Sequence, residues 1–186
     1  MNIQDDVQIE TMPPQESPKK TSTSVWKELG SLLIKIGIIC AIIAFMFTFV
    51  FGLILYDDPS MAPAIRDGDV VIFLRFTQAG YLPQDTVVVV FEGKRQVRRV
   101  VATAGDEVDI TDRGLMINGA LQNETRIFEE TKRYQDGVEF PLVVPKGHVF
   151  VLGDSRENAT DSRVYGCVKI SDTLGKVTEV IRRRII

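Results

Sequence analysis

The chain has 186 residues, 45% of them hydrophobic and 25% charged, with a net charge of -3. That length holds one membrane anchor and one domain of ordinary size. The acidic balance argues against a nucleic-acid partner, because phosphate binding needs clustered positive charge.

Residues 1–27 are expected to be a disordered cytoplasmic tail: Pro13, Pro14 and Pro18 stand among Asp, Gln, Ser and Thr, a composition too polar to order itself by burial. Residues 28–56 are expected to form a transmembrane anchor. From Ile36 to Tyr56 there are about 21 residues without a charge, and as a helix they span about 31 Å, the thickness of a bilayer's hydrocarbon core. The run ends in Tyr56-Asp57-Asp58-Pro59 rather than a small-residue cleavage site, so the anchor is read as uncleaved. Lys19, Lys20, Lys27 and Lys35 precede it and two aspartates follow. The positive-inside rule then places the chain in the cell membrane as a single pass, with the N-terminus cytoplasmic and residues 57–186 extracellular. The lipid bilayer is thus one expected partner.

The exported part carries short β-branched runs between turn residues: 70–74, 87–91, 97–102, 115–117, 142–144, 149–152 and 177–181. These read as strands. Asn118-Gly119 signals a tight turn, and Asp67-Gly68, Asp136-Gly137 and Lys146-Gly147 mark others. The fold class is therefore mainly β: one N-terminal transmembrane helix, then an all-β domain of two sheets or a partly closed barrel. Residues 121–139 are the most polar stretch and read as an exposed insertion. Cys40 lies in the anchor and Cys167 in the exported domain, so no disulfide is expected. No Cys/His grouping has zinc-site spacing, no cofactor is expected, and His148 at a turn is given a structural role. Arg182-Arg183-Arg184 is read as a solvated strand end, with anionic lipid as the alternative contact.

Four segments in order carry chemistry. Ser60-Met61-Ala62-Pro63-Ala64-Ile65 lies just past the anchor; Asp85-Thr86-Val87-Val88-Val89 follows; Arg98-Arg99-Val100-Val101 precedes Gly105-Asp106; and Gly153-Asp154-Ser155-Arg156-Glu157-Asn158-Ala159-Thr160-Asp161-Ser162-Arg163 comes last. From the anchor to the C-terminus the chain resembles the bacterial type I signal peptidases, membrane-anchored serine proteases with a Ser-Lys dyad that remove signal peptides from exported preproteins. The resemblance implies a signal-peptidase-type domain with Ser60 as nucleophile and its backbone N–H in the oxyanion hole. It also implies that Met61, Pro63, Gly105, Asp106, Gly153, Asp154, Arg156, Asp161, Ser162 and Arg163 are scaffold positions. Ser60 is four residues past Tyr56, where a protease for a junction at the outer membrane surface should hold its nucleophile.

Departures from that pattern fall on the chemistry. Arg98 stands where the family has its lysine base. Burial lowers a lysine pKa far enough to give a neutral fraction, whereas an arginine offers only donors; neutralising one at pH 7 costs on the order of 8 kcal/mol. A shift of one position gives Arg99, and Lys94 lies about 13 Å along a strand. Ala159 replaces a family serine that supports the lysine, and Ala64 a threonine. Asp58 replaces a glycine or serine that helps bind the oxyanion, and a carboxylate there repels developing negative charge. Asp58 either pairs with Arg98 across the cleft or points into solvent beside Asp57.

Two functions fit. One is a non-catalytic or weakly active relative that keeps the cleft as a docking groove for exported preproteins or pilin subunits, similar around Val100 to Val108 and in its basic C-terminal strand to signal-peptidase-like proteins that assist pilus assembly. The other is an active signal peptidase using Ser60 with a non-standard base, Arg98 orienting or stabilising. They differ by one proton acceptor.

Overall fold

The computed structural model describes residues 22–75 and 80–182. The chain divides into two compact units between Ile42 and Ile43, each described by itself. Helix α1 spans Ser22–Phe45. Trp26, Leu33 and Ile34 expose most of their surface, and Ile38, Ile39 and Ile42 more than half. A helix apolar on every side suits an apolar solvent. The stretch Val25–Val50 has 26 residues and a mean hydropathy of 2.6, enough to extend about 39 Å. Of the tail expected over 1–27, residues 1–21 lie outside the described residues, and Ser22–Lys27 belong to α1.

The anchor expected to run to Tyr56 stops earlier. A wide π-type turn, Met46–Val50, ends the helix, with the Phe51 N–H donating to Met46 O. Strand β1, Phe51–Leu55, follows. Gly52 permits this: a Cβ there would lie 2.1 Å from the tip of the Phe73 ring, so only glycine lets β1 lie against that side chain. Alternation then buries Ile54 and Tyr56 and exposes Leu53 and Leu55.

The remaining strands are β2 (Val70–Leu74), β3 (Thr86–Phe91), β4 (Lys94–Thr103), β5 (Glu107–Thr111), β6 (Gly114–Ile117), β7 (Ala120–Leu121), β8 (Leu142–Val143), β9 (His148–Leu152), β10 (Val168–Lys169) and β11 (Thr173–Ile181), with a single helical turn, α2, at Ser162–Tyr165. They form a seven-stranded sheet in the order β1-β2-β11-β3-β4-β9-β10 and a four-stranded sheet in the order β7-β6-β5-β8. Neighbours pair antiparallel. The expectation of a mainly β domain with one apolar N-terminal helix holds. All seven strands read from sequence are present, and β1, β5, β7 and β10 are additional. Asn118 and Gly119, at φ 52° and 77°, make the expected tight turn between β6 and β7, since that turn needs two positive φ values in succession.

Two apolar clusters frame the large sheet. Val71, Phe73, Val88 and Val97 pack with Ile54, Tyr56, Met61 and Ile65; Val87, Val89, Val100 and Val151 pack with Tyr81 and Val149. Burying Tyr56 and Met61 on either side of Ser60 anchors that segment. The polar stretch 121–139 is only partly the exposed insertion expected. Beyond Leu121 it lacks helix and strand, and Phe128 is exposed, yet Thr131 is buried, and Glu124 and Glu129 bond back to residues 155–157.

Candidate active site

Ser60 sits in a short 3-10 turn, Pro59–Met61, that its neighbours dictate. Proline suits the first position of such a turn and aspartate the cap before it. Asp58 Oδ1 accepts the Ser60 N–H at 2.8 Å. Ser60 and Met61 are fully buried. The Ser60 carbonyl accepts the Ser155 N–H at 2.9 Å, tying the turn to the segment after β9. Gly153 makes that approach feasible: a Cβ there would lie 2.7 Å from Ser60 O and 2.3 Å from the Ala159 Cβ. The Ala159 methyl stands at this crowded spot, at a position where the family resemblance implies a serine.

Arg98 reaches the same point from β4. Its side chain is buried, and Nη1 donates to Ser60 Oγ at 2.6 Å and to Val97 O at 2.6 Å. Nε and Nη2 both donate to Thr160 O, at 3.1 and 2.9 Å. Asp58 Oδ2 lies 3.5 Å from Arg98 Nη1. Of the two placements open to Asp58 on sequence, the structure has the ion pair.

Proton accounting follows from these bonds. Ser60 Oγ receives a hydrogen bond from Arg98, so one lone pair is used and no proton leaves by that route. Its other side-chain partner is the Tyr56 hydroxyl at 2.9 Å. Burial pushes that phenol up to about 12, partly offset by its Ser60 hydrogen bond, so at neutral pH only about one Tyr56 in 10⁵ is a phenolate able to accept. The Ser60 N–H, the oxyanion donor implied by the resemblance, is occupied by a carboxylate. Hydroxyl and oxyanion donor are thus both engaged by this chain's own charged side chains.

The scaffold positions build the wall behind. Arg99 points away from Ser60 and forms a two-pronged pair with Asp154, at 2.8 and 2.5 Å, whose hydrogen bond raises the guanidinium further. It is therefore not an alternative partner for Ser60. Asp161 caps α2, accepts the Gly153 N–H at 3.0 Å, and holds Arg163 through two further bonds of 2.9 Å. Arg163 in turn donates to Arg156 O at 2.6 Å. Arg156 bonds Gly153 O, Thr131 Oγ1 and both Glu124 oxygens. Ser162 Oγ accepts the Val151 N–H. Farther off, Asp106 follows the Gly105 turn and closes on the Thr103 N–H, which with Asn118 holds its carboxyl below the usual range. Pro63 follows the turn and Ala64 is exposed. Ser60, Asp58 and Arg98 meet; Gly105 and Asp106 belong to the β4–β5 connection. Tyr56 and the Thr160 carbonyl are site groups that sequence reasoning missed.

A cleft of about 830 Å³ opens beside this cluster, lined on one side by Leu53–Pro59 and on the other by Gly93–Gln96 and Arg98, with Asn158 and Thr160 at its end. Strand β1 is a sheet edge. Val50 O accepts from Arg75 N, and Tyr56 N donates to Asp69 O. Even-numbered residues of β1 therefore face β2, and the backbone groups of Leu53 and Leu55 face outward.

Residues 29–181 match the family model described as signal peptidase, peptidase S26. The chain belongs to the S26 signal peptidase family. It is 30% identical over 169 residues to signal peptidase IB of Staphylococcus aureus, covering 82% of this chain and 88% of that protein. It is 32% identical over 114 residues to thylakoidal processing peptidase 1, chloroplastic, of Arabidopsis thaliana, across 58% of this chain; the match spans only 30% of that relative's length. A solved signal peptidase I from Enterococcus faecalis V583 superposes with a TM-score of 0.45 at 27% identity, covering 55% of this chain and 100% of that one. Family membership and the apolar helix together make this a membrane-anchored protein. Within this S26 member, Ser60 sits in a buried turn with the Arg98 guanidinium bonded to its hydroxyl.

Proposed function

We propose that this protein binds the signal-peptide and cleavage region of exported preproteins in the cleft beside Ser60 and turns them over slowly or not at all. The observation that carries the reading is the 2.6 Å bond from Arg98 Nη1 to Ser60 Oγ: a donor stands where hydrolysis needs an acceptor. The Asp58 carboxylate on the Ser60 N–H adds to it, because an oxyanion generated there meets a negative charge instead of a free donor.

Binding itself needs neither group. The outward-facing main chain of Leu53 and Leu55 offers an extended peptide a strand to pair with. Exposed Leu53 and Leu55 supply apolar surface for small side chains. A chain leaving the bilayer in extended form meets this edge if the N-terminus is cytoplasmic and residues 57–186 are extracellular, which is the orientation we propose from the lysines before the anchor and the aspartates after it. Pilin subunits enter as one class of such exported chains, on the resemblance of Val100 to Val108 and of the C-terminal strand.

The test is photocrosslinking. A preprotein carrying a photoreactive residue at the third position before its cleavage site, mixed with the full-length protein in detergent, should crosslink to β1 or to the start of β4. Crosslinks that are absent, or that scatter over the four-stranded sheet, contradict the docking groove.

A further inference from the structure

We infer that Arg98 and the Ser60 N–H form a carboxylate cradle whose outside ligand is the free C-terminal carboxylate of a peptide lying in the cleft, with Asp58 as the built-in occupant it displaces. This rests on the docking reading above and names the ligand of that groove.

The two oxygens of Asp58 each face one donor, Oδ1 the Ser60 N–H at 2.8 Å and Oδ2 the Arg98 guanidinium at 3.5 Å. That is the two-point geometry by which a site holds a carboxylate. The second arm is slack: a charge-assisted bond between guanidinium and carboxylate settles at about 2.7 to 2.9 Å, and both Nη1 hydrogens already go to Ser60 Oγ and Val97 O. A carboxylate from outside closes that arm by taking the Nη1 hydrogen that Ser60 Oγ now accepts.

Charge sets the ligand class. Arg98 is 1% exposed, and a buried cation stripped of its counter-charge is strongly destabilised. Whatever displaces Asp58 must therefore bring a negative charge of its own. An internal peptide bond brings only a carbonyl dipole; a chain end brings the charge.

The geometry permits the exchange. Arg98 is held by Thr160 O and Val97 O whether or not Asp58 is in place. The Asp58 side chain is 28% exposed and lines the open cleft, and its backbone is extended, with φ -129° and ψ 130°. Rotation of its side chain alone carries the carboxylate towards solvent. Peptides with a free carboxylate at this place arise by hydrolysis of a preprotein at the segment that fills the cleft, so the site takes the product of a peptide-bond cleavage carried out elsewhere.

The experiment compares two fluorescein-labelled peptides, each a leucine-rich stretch ending in Ala-Gln-Ala, one with a free carboxylate and one amidated. Anisotropy is measured with the full-length protein in detergent micelles, as wild type, Asp58→Ala and Asp58→Asn. The wild type should bind the acid several-fold more tightly than the amide. Asp58→Ala should widen the gap to about tenfold or more, since the internal competitor is gone, and Asp58→Asn should widen it less, since its amide oxygen still accepts the Ser60 N–H while the charge facing Arg98 is lost. Asp58→Asn keeps an oxygen for the Ser60 N–H and guards against a folding failure of Asp58→Ala. Equal affinity for acid and amide, in the wild type and in either folded variant, overturns the cradle while leaving the docking groove standing. Failure of both peptides to bind any of the proteins overturns both.

Discussion

Replacing Asp58 by Asn and Arg98 by Gln, singly and together, isolates the interaction on which the site's electrostatics depend. At 3.5 Å and an effective dielectric constant of 20, the bare attraction between the two charges is about 5 kcal/mol. The partial exposure of Asp58 and the desolvation of Arg98 reduce the measurable coupling to about 1 to 2 kcal/mol. Arg98→Gln alone should cost about 3 to 5 kcal/mol, because Thr160 O loses two donors, Val97 O and Ser60 Oγ lose one each, and Asp58 loses its counter-charge. Asp58→Asn alone should cost less, since the amide oxygen still caps the turn before Ser60. Urea unfolding of the four full-length proteins in mild detergent, followed by circular dichroism of the β domain, gives the cycle. A coupling within about 0.3 kcal/mol of zero, the usual scatter of additive sites, refutes the pairing as an energetic unit.

Cys167 is half-buried, and burial pushes its thiol up to about 11. At pH 8 its thiolate fraction is then about 10⁻³, so iodoacetamide should label it about a hundredfold more slowly than an ordinary exposed thiol; labelling at the ordinary rate contradicts that burial. The folded pKa of Tyr56 lies above its unfolded value, so the fold binds more protons between pH 10 and 12. Its stabilising contribution is complete below pH 10 and lost as pH rises towards 12, by up to about 2 kcal/mol. Wild type should lose more stability than Tyr56→Phe over that window, and parallel profiles refute the assignment. Gly153→Ala should destabilise the protein by about 2 to 3 kcal/mol through overlap with Ala159 and Ser60 O. A melting temperature unchanged from wild type means the approach is looser than described.

Strands with β-branched runs bounded by turns were legible because burial on both faces leaves a continuous apolar signature. β1 was not, for the same reason: Phe51-Gly52-Leu53-Ile54-Leu55 continues the apolar run of the helix, and periodicity cannot separate a helix from a strand when both faces are apolar. β5 was hidden by Glu107 and Asp109 on its outer face, although the alternation Val108, Ile110 was present. At the site, Asp58, Ser60 and Arg98 were legible as charges and nucleophile placed by motif. The Thr160 carbonyl was not, because a backbone acceptor contributed from 62 residues away leaves no mark on residue type. Two signals were present in the sequence: Asp58-Pro59-Ser60 is a turn-capping pattern that consumes the Ser60 N–H, and Tyr56 stands four residues before Ser60, where its hydroxyl reaches Oγ.

Among the described residues, the side chains bonded to Ser60 Oγ are a guanidinium and a neutral phenol, and a cleavage assay tests their inability to take its proton. Full-length wild type and Ser60→Ala, incubated in detergent at pH 8 with a preprotein bearing an Ala-x-Ala junction, should release mature protein at the same rate or with the wild type only slightly faster. Mature protein released by the wild type well above the Ser60→Ala background would contradict the account.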